Sequence, residues 1–291
     1  MDFHPAMFVW TKRSPSDQLD AWEQRFQGNP NLAVEWLGDG ESVRLSLFCA
    51  QRREADALRR TCGGSVRDVK RGEWNRAPAP PRPVVVRDSL LVTALTRRDA
   101  LAALRRDHPR RIVISIPAEL AFGTGDHATT ATCLRLLADA ARQRREDAWS
   151  MADLGCGTGV LAIAARKLGA RDAFACDFDP LAIDVAVRNA RRNHSADIAV
   201  RRQDVLRWKP RRRGYDVVAA NLFSTVLIDA WPVIARAVAP GGTLIASGIL
   251  ATQAWDVFTA AARNGLGFTK VVRKGRWVTA IGGRMVDLVG G

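Results

Sequence analysis

Apolar residues recur along this chain with two different periods, and the change from one to the other divides it. Near the N terminus "AMFVW" (residues 6–10) predicts a short strand. "SPSD" (14–17) then offers a Ser N-cap, Pro at the first helical position and an acid at the third, so a helix is expected to open at Ser14. Leu19, Trp22 and Phe26 would form its apolar face. "LAVEWLGDGESVRLSLF" (32–48) alternates Val34 and Trp36 with Val43, Leu45 and Leu47 around a Gly-Asp-Gly turn, the pattern of a hairpin. A polar helix in "AQRREADALRR" (50–60) and an edge strand in "SVRDVK" (65–70) complete the order β-α-β-β-α-β, that of a split βαβ, ferredoxin-like α+β unit.

"APAPPRP" (77–83) breaks the pattern, because four prolines in seven residues make a stiff, extended connector. A transitional segment follows, with strand-like "SLLVTAL" (89–95), a short helix in "RRDALAALRR" (97–106) and "RIVISI" (111–116). Beyond it strands and helices alternate with short turns: "WSMADLGCGTGVLAIAARKLGA", then "DAFACDFDPLAIDVAVRNARRN", then "DVVAANLF". Continuous apolar strands separated by amphipathic helices imply a doubly wound parallel sheet covered on both faces. The expected organisation is therefore an α+β domain over residues 1–76, a linker and transitional segment over 77–110, and a larger α/β domain over 111–291.

Composition adds little to this picture and removes several alternatives. With 47% hydrophobic residues the chain can bury two cores, and no apolar run approaches the roughly 18 residues of a membrane span. The first residues, "MDFHPAMFVWTKR", lack a basic segment followed by a long apolar one, so a cytoplasmic protein with no membrane partner is the expectation. Five cysteines without C-x-x-C spacing argue against both a disulfide framework and a zinc site. The net charge of +14 suits an acidic or nucleic-acid partner, yet 38 of the 44 basic residues are arginine, spread along the chain as a compositional bias would spread them.

The chemistry concentrates at the ends of the strands in the second half. "DLGCGTG", opening at Asp153, sets Gly155, Gly157 and Gly159 between a strand and a helix, where the backbone can approach a ligand and helix amides point at it. Val160 stands where a dinucleotide fingerprint wants its third glycine, and no Gly-Lys-Ser/Thr follows, so NAD and FAD are disfavoured and a P-loop is excluded. Asp177, followed by Phe178, ends the next strand, and a carboxylate there can accept both hydroxyls of a ribose. Asp179 and Pro180 read as the cap and first residue of the following helix. Asp204 suits either an adenine amino group or a helix cap. "AFGTGDHATT" (121–130) is a loop opening a helix; its lone histidine has no second ligand at metal spacing.

These residues together resemble class I S-adenosylmethionine-dependent methyltransferases, and more closely the ribosomal protein L11 methyltransferase (PrmA) family. The resemblance runs from "IPAELAFGTGDHATT" through the glycine turn, "CDFDPLAIDVAVRNARRN", "VVAANL" and "PGGTLIASGIL" to the C terminus. It implies a Rossmann-like sheet with an antiparallel end formed by "FTKVVRKGRWVTAIGG" (268–283), and S-adenosyl-L-methionine as cofactor. Phe122, Gly123, Thr124, His127 and Thr129 would border its methionine end, with Asp153, the three glycines, Asp177, Phe178, Asp204 and Asn221 completing the pocket. Ala128 stands where the family carries proline, and "NLFSTVL" departs from the small residues expected after Asn221.

Methyl transfer to an amine needs alignment of donor and nucleophile and a place for a proton. Asn221 is the expected acceptor through its side-chain carbonyl, assisted by the Leu222 backbone carbonyl; the competing role for Asn221 is closure of the strand. Phe223 could wall the amine channel or belong to the core. The resemblance implies transfer to lysine or N-terminal amino groups of ribosomal protein L11, free or on the large subunit, with the N-terminal unit presenting that partner. A ribosomal RNA methyltransferase and a non-catalytic protein that keeps the cofactor fold are the alternatives, and incidental RNA contact would follow from the charge.

Overall fold

The structure is a computed structural model, and it describes residues 7–19, 22, 25–26, 32–37, 41–49, 51–69, 83–117, 123, 125, 127–144 and 147–288. Two compact units meet in sequence between Ala79 and Pro80. Most of the proline-rich connector falls outside the described residues.

The first unit is a four-stranded antiparallel sheet of β1 (Met7–Pro15), β2 (Leu32–Trp36), β3 (Ser42–Cys49) and β4 (Ser65–Val69), in the order β2-β3-β1-β4. Helix α1 (Arg52–Cys62) packs on it. That order is the split βαβ arrangement. Trp10, Val43, Leu45 and Leu47 alternate inward, and Trp22 and Phe26 stack beside Trp10 as the apolar spacing requires. One detail differs from the sequence reading. Ser14 does not cap the first helix: it still pairs with Val43 in the ladder, its hydroxyl takes the Trp22 indole N–H at 2.9 Å, and a 3-10 turn opens one residue later, after Pro15. Pairing with β3 outcompetes the local cap. The side chain of Trp36, expected in the core, lies outside the described residues.

In the second unit β5 (Val84–Val86), β6 (Leu90–Thr93) and β7 (Ile112–Ser115) form a small sheet, with α2 (Arg98–Asp107) crossing between β6 and β7. "RIVISI" therefore pairs with the transitional segment before it, not with the large sheet. Leu91, Leu101 and Val113 bury one face of this sheet under α2, while Val92 and Ile114 bury the other in the main core.

The large sheet has seven strands: β8 (Ser150–Leu154), β9 (Asp172–Asp177), β10 (Ala199–Arg202), β11 (Tyr215–Asn221), β12 (Val238–Leu250), β13 (Leu266–Lys274) and β14 (Trp277–Arg284). Their order is β10-β9-β8-β11-β12-β14-β13, with β10 and β13 at the edges. The strands from β10 to β12 are parallel, and β14 is antiparallel to both β12 and β13. It is thus a mixed sheet of the class I methyltransferase kind. Alternation sorts its side chains: Met151, Val217 and Ala219 face α3 (Ala128–Gln143), α4 (Val160–Lys167) and α5 (Pro180–Arg192), whereas Ala152, Val218 and Ala220 face α6 (Ser224–Ala237) and α7 (Ala254–Arg263). Burying both faces brings the loops at the carboxyl ends of β8, β9 and β11 together, where such sheets bind ligands.

Candidate functional site

The three glycines of the turn after β8 are all left-handed, at φ of 71°, 51° and 76° for Gly155, Gly157 and Gly159. The turn is pinned by the Gly155 and Cys156 amides, which both donate to the Cys176 carbonyl of β9, at 2.8 and 3.0 Å. Beyond it α4 starts with the amides of its first turn directed back toward the strand ends. A side chain at Gly155 would collide with Leu222, so glycine here brings the turn against the end of β11.

Asp177 ends β9 beside this turn. Its Oδ2 accepts from the Gly157 amide at 3.0 Å and its Oδ1 from the Asp179 amide at 3.1 Å, which orients the carboxylate at the mouth of the loop. Asp179 caps α5 through the Leu181 amide, as its position before Pro180 predicts. Phe178 is 74% exposed and Leu181 60% exposed. Two apolar side chains held in solvent next to an oriented carboxylate fit an aromatic base above a ribose. Asp204 caps the turn that follows β10: its Oδ1 accepts from the Leu206 amide at 2.9 Å, and Arg207 Nε lies 3.8 Å from its Oδ2.

Asp153 is different in kind. It is fully buried, its Oδ2 accepts from the Ala162 amide of α4 at 3.1 Å, and its Oδ1 has no partner. Burial raises its pKa to about 7, against the Ala162 hydrogen bond, and the charge of Asp177 adds to the rise. Asp153 therefore braces the turn from beneath. Burial also holds the thiols of Cys133 and Cys176 at about 12 and raises that of Cys156 well above its usual value, so all three stay protonated and unreactive.

Ahead of α3 the chain meets the turn at Gly123. Gly123, at φ 104°, gives its carbonyl to the buried Thr158 hydroxyl at 2.6 Å, and Asn189 of α5 donates to the Thr158 carbonyl at 3.1 Å. Thr158 thus ties the loop, the turn and α5 together. Phe122 and Thr124 lie outside the described residues. His127 caps α3: its Nδ1 accepts from the Thr129 amide at 3.4 Å and lies 2.7 Å from the Thr129 hydroxyl. With Nδ1 as acceptor, that hydroxyl donates to it, and its oxygen is left to accept from Asn221 Nδ2 at 3.4 Å. The Asn221 amide is so oriented that its Oδ1 is turned away from Thr129. Trp277 packs edge-on against His127, with ring centroids 5.4 Å apart.

Leu222 follows directly, its amide donating to Ser247 at 3.1 Å. Gly248, at φ 80°, is backed against the Leu222 carbonyl so closely that any Cβ would strike it. Phe223 is 71% exposed and joins no core cluster among the described residues. Thr158, Asn189, Gly248 and Trp277 were not marked in the sequence as site residues; Thr158, inside the glycine turn, carried the one local signal. Among the described residues no group of three or more His, Cys, Asp or Glu side chains is placed to hold a metal, and no helix is long and apolar enough to cross a membrane.

Comparison with known proteins agrees with this arrangement. The family model described as "Ribosomal protein L11 methyltransferase (PrmA)" matches residues 35–285. A protein of that name from Rhizobium etli is 41% identical over 174 residues, which is 59% of this chain and 59% of the relative. Another from Pelotomaculum thermopropionicum is 43% identical over 167 residues, 57% of this chain and 53% of the relative. The alignments thus span less than two thirds of these relatives' own length. The crystal structure of a ribosomal protein L11 methylase from Lactobacillus delbrueckii subsp. bulgaricus superposes with a TM-score of 0.58 at 26% identity, covering 70% of this chain and 98% of that one. From the length of the family match, together with a fold of the same kind, the chain belongs to the ribosomal protein L11 methyltransferase (PrmA) family.

Proposed function

We propose that this protein transfers methyl groups from S-adenosyl-L-methionine to amino groups, of lysine or the N terminus, on ribosomal protein L11 in the cytoplasm. The observation that carries the reading is the paired acceptor at the end of β11. Asn221 Oδ1 is freed by the Thr129 hydrogen bond, and the Leu222 carbonyl lies one residue on, against Gly248.

The cofactor, when bound, supplies an electrophilic methyl group on a sulfonium. The chain's residues do the rest. Gly123, Gly155 and the first amides of α4 receive its chain, while Asp177 and Phe178 take ribose and base. Two neutral carbonyl acceptors orient the lone pair of an incoming amine without fixing it as ammonium, as a carboxylate would. The Thr129–His127 pair holds Asn221 in that orientation, and Phe223 walls the approach. The N-terminal unit presents the protein partner.

Free ribosomal protein L11, free ribosomal RNA and intact large subunits would each be incubated with methyl-labelled cofactor and then digested separately with protease and with nuclease. Label released by protease and retained through nuclease is expected. Label lost only to nuclease would replace this reading with RNA methylation, and no transfer to any acceptor would leave a non-catalytic cofactor-binding protein. In the same assay Asn221→Ala should lose about 100-fold in rate, the scale of a misplaced reactant, a larger fall than any loss of cofactor affinity.

A further inference from the structure

A second feature lies at the opposite end of the large unit, one length of α4 (about 12 Å) from the glycine turn. There the end of α2, the start of β7, the last turn of α4 and the residues after α5 enclose a cavity of about 340 Å³. Arg105, Arg111, Lys167 and His194 line it, over a floor that includes Ile112 and Val113; among the described residues the lining holds no acid, and the His194 imidazole is its one aromatic ring.

The frame is rigid. Asn193, buried, both donates to the Ser115 carbonyl and accepts from the Ser115 amide at 2.8 Å, stitching the end of α5 to β7. His194 then adopts φ 52°, a left-handed conformation that non-glycine residues take only when their surroundings impose it. Arg111 is steadied by the Arg87 carbonyl at 3.5 Å and lies 3.8 Å from Asp88, a carboxylate 94% exposed. Among the described residues Arg105 and Lys167 have neither an acidic nor a hydrogen-bonding partner, so two cations face the cavity with their donors unspent.

Cations at helix ends often do no more than answer the helix dipole. Three helices end here, bringing about half a negative charge each. Against them stand Arg105, Arg111 and Lys167, with the exposed Arg106, Arg110, Arg191 and Arg192 next to lining residues in sequence; the nearby acids are Asp88, Asp107 and Asp197, the last already paired with Arg166. The positive excess survives the dipoles and extends past the cavity on both sides. A single small anion would need only the cavity; a row of charge suits a polyanion. With cations in excess and no Phe, Tyr or Trp in the described lining, the backbone of that polyanion is what such a surface holds first.

We infer that this cavity and its arginine borders bind the phosphodiester backbone of RNA, without sequence preference, on the face away from the methyl-transfer site. That the polyanion is RNA rests on the proposed substrate, a ribosomal protein; the anion site itself rests only on the cavity. The enzyme would then hold RNA of the ribosome with one end of the sheet while the other receives the protein amino group.

The test uses the full chain and a fluorescently labelled 20-nucleotide polyuridylate, followed by anisotropy across a salt series. Arg105→Ala with Lys167→Ala should weaken binding about tenfold at low salt and flatten the log–log salt slope by about 1.4, two contacts at about 0.7 each. Arg212→Ala with Arg213→Ala removes the same charge from an exposed turn elsewhere and should do much less. An unchanged slope in a folded Arg105/Lys167 double variant would overturn the proposal, as would an equal loss in the Arg212/Arg213 control. So would calorimetry in which the double variant loses binding of inorganic phosphate but keeps its RNA affinity. Methyl transfer to free ribosomal protein L11, measured in parallel, should be unaffected by either pair. If the wild-type chain transfers no methyl group yet the RNA slope falls as expected, the substrate reading fails and the anion site stands.

Discussion

Asp177 and Asp153 are two carboxylates of one cofactor turn with opposite roles, and environment alone separates them. Asp177, oriented by two amides at the mouth of the loop, is the ribose ligand of the proposed site. Asp177→Ala should weaken S-adenosyl-L-methionine binding by about 1.5–3 kcal/mol, the range for hydrogen bonds to a charged group, and calorimetry giving an unchanged affinity in a folded variant would remove it from the site. Asp153 is buried, with a pKa of about 7. Because the folded chain holds this proton more tightly than the unfolded one, the stability it confers is full below about pH 4 and declines as pH rises toward 7. Asp153→Asn, which cannot ionise, should therefore gain on the wild type by up to about 4 kcal/mol over that window, read from melts at a series of pH values; a pH-independent difference would show that Asp153 stays charged. The sequence made the capping role of Asp179 legible because its partner, the Leu181 amide, is two positions away. Asp204, read as a base ligand or a cap, does cap through the Leu206 amide, which takes one of its two oxygens. Thr158 and Trp277 were hidden for the opposite reason: their partners, Gly123 and His127, are distant in sequence, and no local pattern records such a meeting.

At the scale of elements, the helices and central strands of the second half follow the apolar pattern closely, because β8 and β11 are buried on both faces, whereas the outer strands β10 and β13 are largely exposed. Ser14 shows where that logic stops, since a good capping sequence yielded to continued pairing with β3. The end of β11 is set by its neighbour in the sheet. Gly248 of β12 leaves the Leu222 carbonyl its position, and a glycine within a strand pattern signals close backbone approach without saying to what. Gly248→Ala should place a methyl group against that carbonyl in a backbone conformation alanine resists. The expected cost is about 1–3 kcal/mol in stability, together with a fall in methyl transfer larger than any fall in cofactor affinity. A melt and a transfer rate both equal to wild type would mean that the acceptor carbonyl is not held by this contact.

For the molecule as a whole, the split between Ala79 and Pro80 separates every motif of the proposed cofactor site from the first unit. A chain reduced to residues 78–291 should bind S-adenosyl-L-methionine within a few-fold of the full protein and lose most transfer to ribosomal protein L11. A folded fragment that binds no cofactor would mean that the first unit helps to build the pocket. Among the described residues no strand pairs with the outer edge of β10 or of β13, so each edge offers a row of backbone groups that another copy of the chain could pair with. Arg201 and Arg202 guard one margin, and Lys270, Arg273 and Lys274 guard the other, around the half-exposed Val271. Part of the arginine-rich surplus thus acts as a gatekeeper against strand-to-strand association, a task unrelated to any ligand. Lys270→Val with Lys274→Val should leave the chain folded but prone to aggregate, seen as growing light scatter on storage at concentrations where the wild type stays clear.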